Sequence, residues 1–432
     1  MTDRPDGRLG RRAFLSSLGA APLAAGLLPE SASAAAAPRF TPQAGAADAA
    51  VFAEARRHFL IPEGVGYCNT GTLGASPREV VDAQVKGIAR LESELADWPY
   101  ERAEGEPLTG YQPLVEVRAE VGRLVSASVE EIALVQNATM GMNFLGHGLD
   151  LASGDEVVTT DQEHSGGISV FRLLAKRRGI VLKELPLEPA LASGPEAVVR
   201  LFAHAITPRT RAVMFSHITS GLGIKLPARE LCALARDRGA LSLVDGAQAV
   251  GQIQVDVQEL ACDAYVASPH KWLMAPKGTG FLYIRRSAQD RFWTTLASGA
   301  WNDREKGAFR FMQYGTGSVP AVEGLTAALQ FVGRLGIARI ERWDAALTTR
   351  LREGLTRNSR ARLSSPADPR FAAAITTFRI EGVPAKKLQD ALWARKVRVR
   401  AQNDARGVRL SAHLYVSPDD VDRVLEVAAT VR

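Results

Sequence analysis

The 432-residue chain has only three cysteines, Cys68, Cys232 and Cys262, an odd count at wide spacings. That pattern suits neither a disulfide framework nor a zinc site. Its seven histidines form no H-x-x-H or H-E-x-x-H pair, so no metal is expected. Aromatics make up 6% of the chain, and no cluster interleaves them with Lys or Arg. The net charge of +6 therefore has no nucleic-acid motif behind it, and no nucleic-acid partner is expected. The densest basic run, "ARKVRVR" (394–400), alternates Val with Arg and reads as a strand with a solvated face. A G-x-G-x-x-G fingerprint and a G-x-x-x-x-G-K-[ST] loop are both missing, which argues against dinucleotide and nucleoside triphosphate sites. After residue 34 no long apolar run occurs, so no stable membrane anchor is expected. What is present is a globular composition, 46% hydrophobic and 23% charged, sufficient for a sizeable core.

The first residues stand apart from the fold. "GRRAFLSSLGAAPLAAGLLPESASAAAAP" carries paired Arg11 and Arg12, then Phe14 and Leu15, a weakly apolar stretch from Ala13 to Leu28, and small residues at 31–34. The stretch is too short and too Gly/Pro-interrupted to span a membrane comfortably. It resembles a twin-arginine export signal. That resemblance implies removal of residues 1–34, engagement of the twin-arginine export machinery, and a periplasmic or secreted mature protein that loads any cofactor before export.

From about residue 130 short β-rich runs alternate with helical stretches: "IALVQ", "DEVVTT", "IVLKELPL", "RAVMFSHIT", "ALSLVDGAQ", "CDAYVASPHKW", "GFLYIR". Strands spaced by 10 to 15 helical residues imply βαβ units, an α/β fold and a mostly parallel sheet. "RAVMF" and "LSLV" are apolar throughout, as in strands buried on both faces. After about residue 318 a long helical stretch leads to "AAITTFRI", "VRVRA", "GVRLSAHLY" and a final helix from Pro418, which reads as a smaller α+β domain. The expected layout is signal (1–34), N-terminal arm (35–66), large domain (67–317) and small domain (318–432).

Ligands of open α/β sheets bind at the carboxyl ends of the strands. The polar residues there are Asn137-Ala138-Thr139, Glu163-His164-Ser165, Ser216 to Ser220, Asp245 to Gln248 and Ser268 to Lys271. Together they offer one lysine, a carboxylate on the neighbouring strand, ring nitrogens, hydroxyls and helix-start amides. This set suits pyridoxal phosphate (PLP), which needs a lysine for a Schiff base, an acid at its pyridine nitrogen and a helix N-terminus for its phosphate. Lys277, in "PKGTG", belongs to a turn. His217 reads as a satisfied strand-end histidine, and Cys68 as a small buried thiol.

"NATMGMN", "VDGAQAVGQIQVDVQELACDAYVASPHKWLMAPKGTGFLYIR" and "GVRLSAHLYVSPDDVDRVL" resemble the class V aminotransferase superfamily of fold-type I PLP enzymes, over roughly residues 60–430. "SHITSGLG", "YCNTGTLG" and "VRLSAHLYVSPDDVDR" are most similar to its isopenicillin N epimerase-like branch. The resemblance implies Lys271 as the cofactor's lysine and Asp245 as its pyridinium partner. Gln248 would lie near the phenolic oxygen and His164 on the ring. Ala138, Thr139, Ser268 and His270 would hold the phosphate. It implies that Ser220 is near the cofactor and that Thr316 reaches the phosphate site of a partner subunit in a homodimer. Asn69 and Arg409 would meet the substrate, with Arg409 clamping an α-carboxylate. Reaction at Cα of an amino-acid-like small molecule follows, by epimerisation, transamination or β-elimination; a non-catalytic binding protein on the same fold is the contrasting reading. Cysteine desulfurases of the superfamily carry a nucleophilic cysteine in the C-terminal third, and this chain has none after residue 262. Sulfur transfer through a persulfide is therefore disfavoured.

Overall fold

The computed structural model describes residues 39–94, 114–299 and 301–432. The expected export signal and residues 35–38 of the expected arm lie outside them. After a two-residue strand β1 (Gly66–Tyr67), the chain lays down β2 (Ile132–Val135), β3 (Glu156–Thr160), β4 (Val181–Leu185), β5 (Thr210–Ser216), β6 (Leu241–Asp245), β7 (Ala264–Ala267) and β8 (Gly280–Ile284). The last seven form one sheet in the order β2-β8-β7-β6-β5-β3-β4. Only β8 runs antiparallel to its neighbours, because "APKGTG" turns the chain straight back beside β7. Every residue of β2, β3, β6, β7 and β8 is buried, which explains the apolar runs without alternation.

The crossovers are amphipathic helices. Ala228–Asp237 buries Ala228, Leu231, Cys232 and Ala235, an i, i+3, i+4, i+7 stripe. Ala138–Gly148, after β2, is capped by Asn137, whose side chain accepts from Met140 N at 2.9 Å. No helix among the described residues is long and apolar enough to cross a membrane.

The stretch expected to be one long helix is two, Val319–Leu335 and Ile337–Thr356. They meet at Gly336, whose φ of 81° lies in the left-handed region and ends the first helix. Beyond them β9 (Ala361–Leu363), β10 (Ile375–Ile380), β12 (Arg400–Ala401) and β13 (Val408–Ser411) form a four-stranded antiparallel sheet, ordered β12-β13-β10-β9. β11 (Val397–Arg398) instead takes β1 as a parallel partner.

That pairing sends residues 68–76 between the two sheets. Thr70 Oγ1 meets Tyr415 Oη at 2.7 Å, and Gly71 N donates to Ser411 Oγ at 2.9 Å. Gly74 N donates to His270 O at 3.0 Å, and Lys277 Nζ donates to Gly74 O at 2.9 Å and Ser76 Oγ at 3.1 Å. Lys277, expected in a turn, therefore ties this loop to the turn after β7. Trp272, Leu273, Met274 and Ala275 in that turn are wholly buried.

The contact has no slack. A Cβ at position 74 would lie 1.8 Å from Lys271 O and 2.9 Å from its carbonyl carbon. Gly74→Ala should lower stability by ~1–3 kcal/mol, the usual cost of overpacking. Gly333→Ala, in a helix with nothing within 4 Å of its Cβ, should be neutral or stabilising. Urea unfolding of both variants checks the contrast; equal midpoints would show that the loop yields freely.

Candidate active site

A cavity of about 300 Å³ opens at the carboxyl ends of the central strands, bordered by Lys271, Asp245, Ala138, Thr139, His164, Ser220, Gln248, Ser268, His270 and Arg409. The order β2-β8-β7-β6-β5-β3 brings together those from Ala138 to Lys271, and β13 of the four-stranded sheet supplies Arg409. Asp245 ends β6, and Lys271 follows β7, its parallel neighbour.

Burial lowers the Lys271 pKa to about 8; Asp245 opposes the shift, and Arg409 and Arg400 add to it. Asp245 Oδ1 accepts from Ala247 N at 2.9 Å. Its Oδ2 takes no hydrogen bond among the described residues, and a Cβ at Gly167 would approach it to 3.0 Å. One carboxylate oxygen is thus kept open towards a ligand. His164 Nδ1 accepts from Gly166 N at 3.0 Å, so the neutral ring carries its proton on Nε2. Partial desolvation lowers the His164 pKa, with Lys271 adding to the effect.

The helix starting at Ala138 stands at the cavity's other end, and of its first amides only that of Thr139 takes no partner among the described residues. Ala138 N donates to Ser268 Oγ at 3.0 Å, which joins the helix start to the Lys271 turn. His270 Nδ1 donates to Thr279 O at 3.2 Å, so Nε2 of the neutral ring is an acceptor and meets an anion as a donor only when the ring is protonated. A Cβ at Gly166 would sit 2.3 Å from Thr139 Oγ1, so the glycine keeps this cradle clear. The Thr139 amide and the Thr139 and Ser268 hydroxyls around a helix N-terminus form an anion site. With a lysine whose pKa burial lowers and an open carboxylate oxygen opposite, the residues present fit PLP.

Gln248 borders the cavity with its amide largely engaged: Oε1 accepts from Trp272 Nε1 at 2.8 Å, and Nε2 donates to Gly71 O at 2.9 Å. One Nε2 hydrogen remains. Arg409, 4% exposed, donates from Nη1 to Ser220 O at 2.8 Å and from Nη2 to Thr72 Oγ1 at 2.6 Å. Burial lowers its pKa to about 10, and Arg400 adds to the shift.

Asn69 and Thr316, the second expected at a partner subunit's site, do not border this chain's cavity. Asn69 does not border the cavity; its Oδ1 accepts from Thr72 Oγ1 at 2.8 Å, so it holds the residue that does. Its backbone bridges Ser411, which fixes it one layer back. Thr316 is exposed ahead of the helix at Val319 and does not border its own chain's cavity. Cys68 is wholly buried, and burial drives its thiol pKa up, in line with a packing role. His217 is buried against Tyr265 Oη at 3.0 Å, with its pKa lowered to about 4 by burial, and lies outside the cavity.

Thr72 and Arg400 border the cavity without having been singled out. For Arg400 the signal was present: the alternation in "VRVR" puts Arg398 and Arg400 on one face, but their destination depends on β12 pairing with β13. Glu163 lies behind the site, accepting from Thr160 Oγ1 at 2.7 Å and Ser216 Oγ at 2.6 Å. Burial raises its pKa to about 7 against those bonds, and Asp245 adds to the rise. Among the described residues no cluster of three His, Cys, Asp or Glu could hold a metal ion.

The chain is similar to known proteins over most of its length. It is 31% identical to the isopenicillin N epimerase of Amycolatopsis lactamdurans over 402 residues, covering 88% of this chain and 98% of the relative. The isopenicillin N epimerase of Streptomyces clavuligerus is 29% identical over 391 residues, 86% of this chain and 96% of the relative. Among solved structures, the cystine C–S lyase C-DES in complex with cysteine persulfide superposes with a TM-score of 0.76 at 24% identity, covering 85% of this chain and 98% of that one. That likeness shows the shared fold, fold-type I. The aminotransferase class V family model matches residues 107–424. From strand order to strand-end residues, this chain belongs to the class V aminotransferase family.

Proposed function

We propose that this class V enzyme acts at Cα of an amino acid or amino-acid-containing substrate in an epimerase-like reaction, with Lys271 as the proton carrier. The observation behind the reading is the convergence of a buried lysine of pKa about 8, an open Asp245 oxygen and Arg409 on one cavity. PLP is the cofactor; held covalently by a lysine, it supplies an electron sink for a proton lost at Cα. Asp245 Oδ2 would hold the pyridine nitrogen's proton, and Ala138, Thr139, Ser268 and His270 the phosphate. The remaining Gln248 hydrogen would meet the ring oxygen, and His164 would lie on the ring face. Arg409 would hold the substrate's α-carboxylate while Lys271 Nζ would take up the Cα proton on its own side; inversion then requires a proton delivered to the opposite face of Cα.

The two isopenicillin N epimerases among the relatives support the epimerase branch over transamination and elimination. The cysteines weigh against persulfide chemistry. Cys68, Cys232 and Cys262 are all buried, and burial raises each thiol pKa, so none offers a thiolate. We further propose a homodimer, in which the exposed Thr316 reaches the partner's cofactor site, and export of the folded holoenzyme.

Three outcomes are expected. Deuterium should enter Cα of an accepted amino acid in D2O without pyridoxamine or keto acid accumulating, and Lys271→Ala should slow exchange ~10²–10⁴-fold, the range of lost acid–base catalysis. Accumulating pyridoxamine would instead identify an aminotransferase, released keto acid with a β-substituent a lyase, and absence of exchange a binding protein. Lys271 must be unprotonated to capture the cofactor. Capture by the apoprotein, followed by absorbance, should therefore speed up as pH rises towards 8 and level off above it. Asp245→Asn removes the charge that raises the lysine's pKa, so that midpoint should move down. Replacing Arg11 and Arg12 by lysine should leave the holoenzyme in the cytoplasm; undiminished export in fractionated cells would rule out the twin-arginine route.

A further inference from the structure

Arg400 and Arg409 are directly opposed in the antiparallel pair β12–β13, so their side chains leave the sheet on the same face. Both border the cavity. Arg409 Nη2 reaches Thr72 Oγ1 at 2.6 Å and Arg400 Nη1 reaches the same oxygen at 3.5 Å. Thr72 gives its own proton to Asn69 Oδ1, so its two lone pairs serve the two guanidiniums and its capacity is filled.

Neither arginine has a carboxylate partner among the described residues; besides Thr72 and Asn69, Arg409 contacts only Ser220 O. Nearby arginines of the same region do find acids: Arg406 pairs with Glu188, Arg395 with Glu426 and Arg362 with Glu381. The acid bordering this cavity, Asp245, faces the cofactor end. Two like charges side by side repel, and the described residues supply no anion between them. They also differ in depth, for Arg409 is 4% exposed while Arg400 is exposed at the rim.

A single α-carboxylate on Arg409 would balance one of these charges and leave the outer one. We propose that Arg400 is a specificity residue for a second carboxylate, so that the substrate class is amino acids, or short derivatives of them, with another acid group distal to Cα. This inference rests on the placement of the α-carboxylate at Arg409 described above.

The test uses holoenzyme and paired probes of equal shape. By calorimetry, glutarate should bind at least ~10-fold tighter than its monoamide, glutaramate. In Cα exchange, kcat/KM for L-glutamate should exceed that for L-glutamine by at least ~10-fold, with the difference in KM. Both ratios should fall to near one in Arg400→Gln and below one in Arg400→Glu. Wild-type ratios near one, or ratios kept in Arg400→Gln, would overturn the proposal. Exchange without acid preference removes this inference and leaves the reaction standing. A glutarate preference that depends on Arg400, in the absence of any exchange, removes the reaction and leaves the second acid site.

Discussion

The site depends on one close approach, the seating of Gly74 on the backbone of His270 and Lys271. Gly74 N is bonded to His270 O, and there is no room between the two segments for a methyl group. Once the 68–76 loop is seated, its other residues become walls of the cavity. Gly71 O takes the Gln248 amide, and Thr72 Oγ1 takes Arg409. The loop is itself held by β1 on β11 and by Gly71 N on Ser411 Oγ, both in the C-terminal part of the chain. The lysine turn, Gln248 and Arg409 therefore share one support.

The charges inside that frame are unbalanced. One carboxylate and one lysine, neutral above about pH 8, face two arginines and a helix N-terminus. Such a cavity selects anions before it makes any specific contact. Phosphate at the helix start and carboxylates at the arginines satisfy it, and an uncharged ligand would leave the arginines facing each other. The same excess of positive charge favours the unprotonated form of Lys271, because Arg409 and Arg400 add to the effect of burial.

Much of this was legible in the sequence because strand ends are local. An apolar run followed by Asp, or by Ser-Pro-His-Lys, states both the strand and the residue at its mouth. Asp245, Lys271, Ser268, His270 and His164 were found that way, and His217 was set aside with reason. The residues misplaced or missed owe their positions to pairing between distant segments. Asn69 falls one layer back because its backbone is bridged to Ser411, which passes the cavity position to Thr72. Arg400 looked like a solvated strand residue until β13 was laid beside it. The break at Gly336 was present as a residue, but helical periodicity continues on both sides and hid it.

A buried pair behind the lysine turn explains why the turn holds its shape without solvent or charge at its surface. Trp272 O can only accept, so His413 Nε2 must carry a proton at 2.8 Å from it. His413 Nδ1 faces Asp344 Oδ2 at 2.8 Å, and the two groups must share a further proton between them. Both side chains are almost wholly buried, and burial raises the Asp344 pKa to about 6 against the pull of His413. Such a pair costs desolvation and returns little net stability. What it supplies is direction: a fixed donor on the carbonyl that follows Lys271, matched on the other side by the indole N–H bonded to Gln248. Trp272 is thereby held at its backbone and at its ring, and the lysine preceding it projects from a segment that cannot rotate without breaking both bonds.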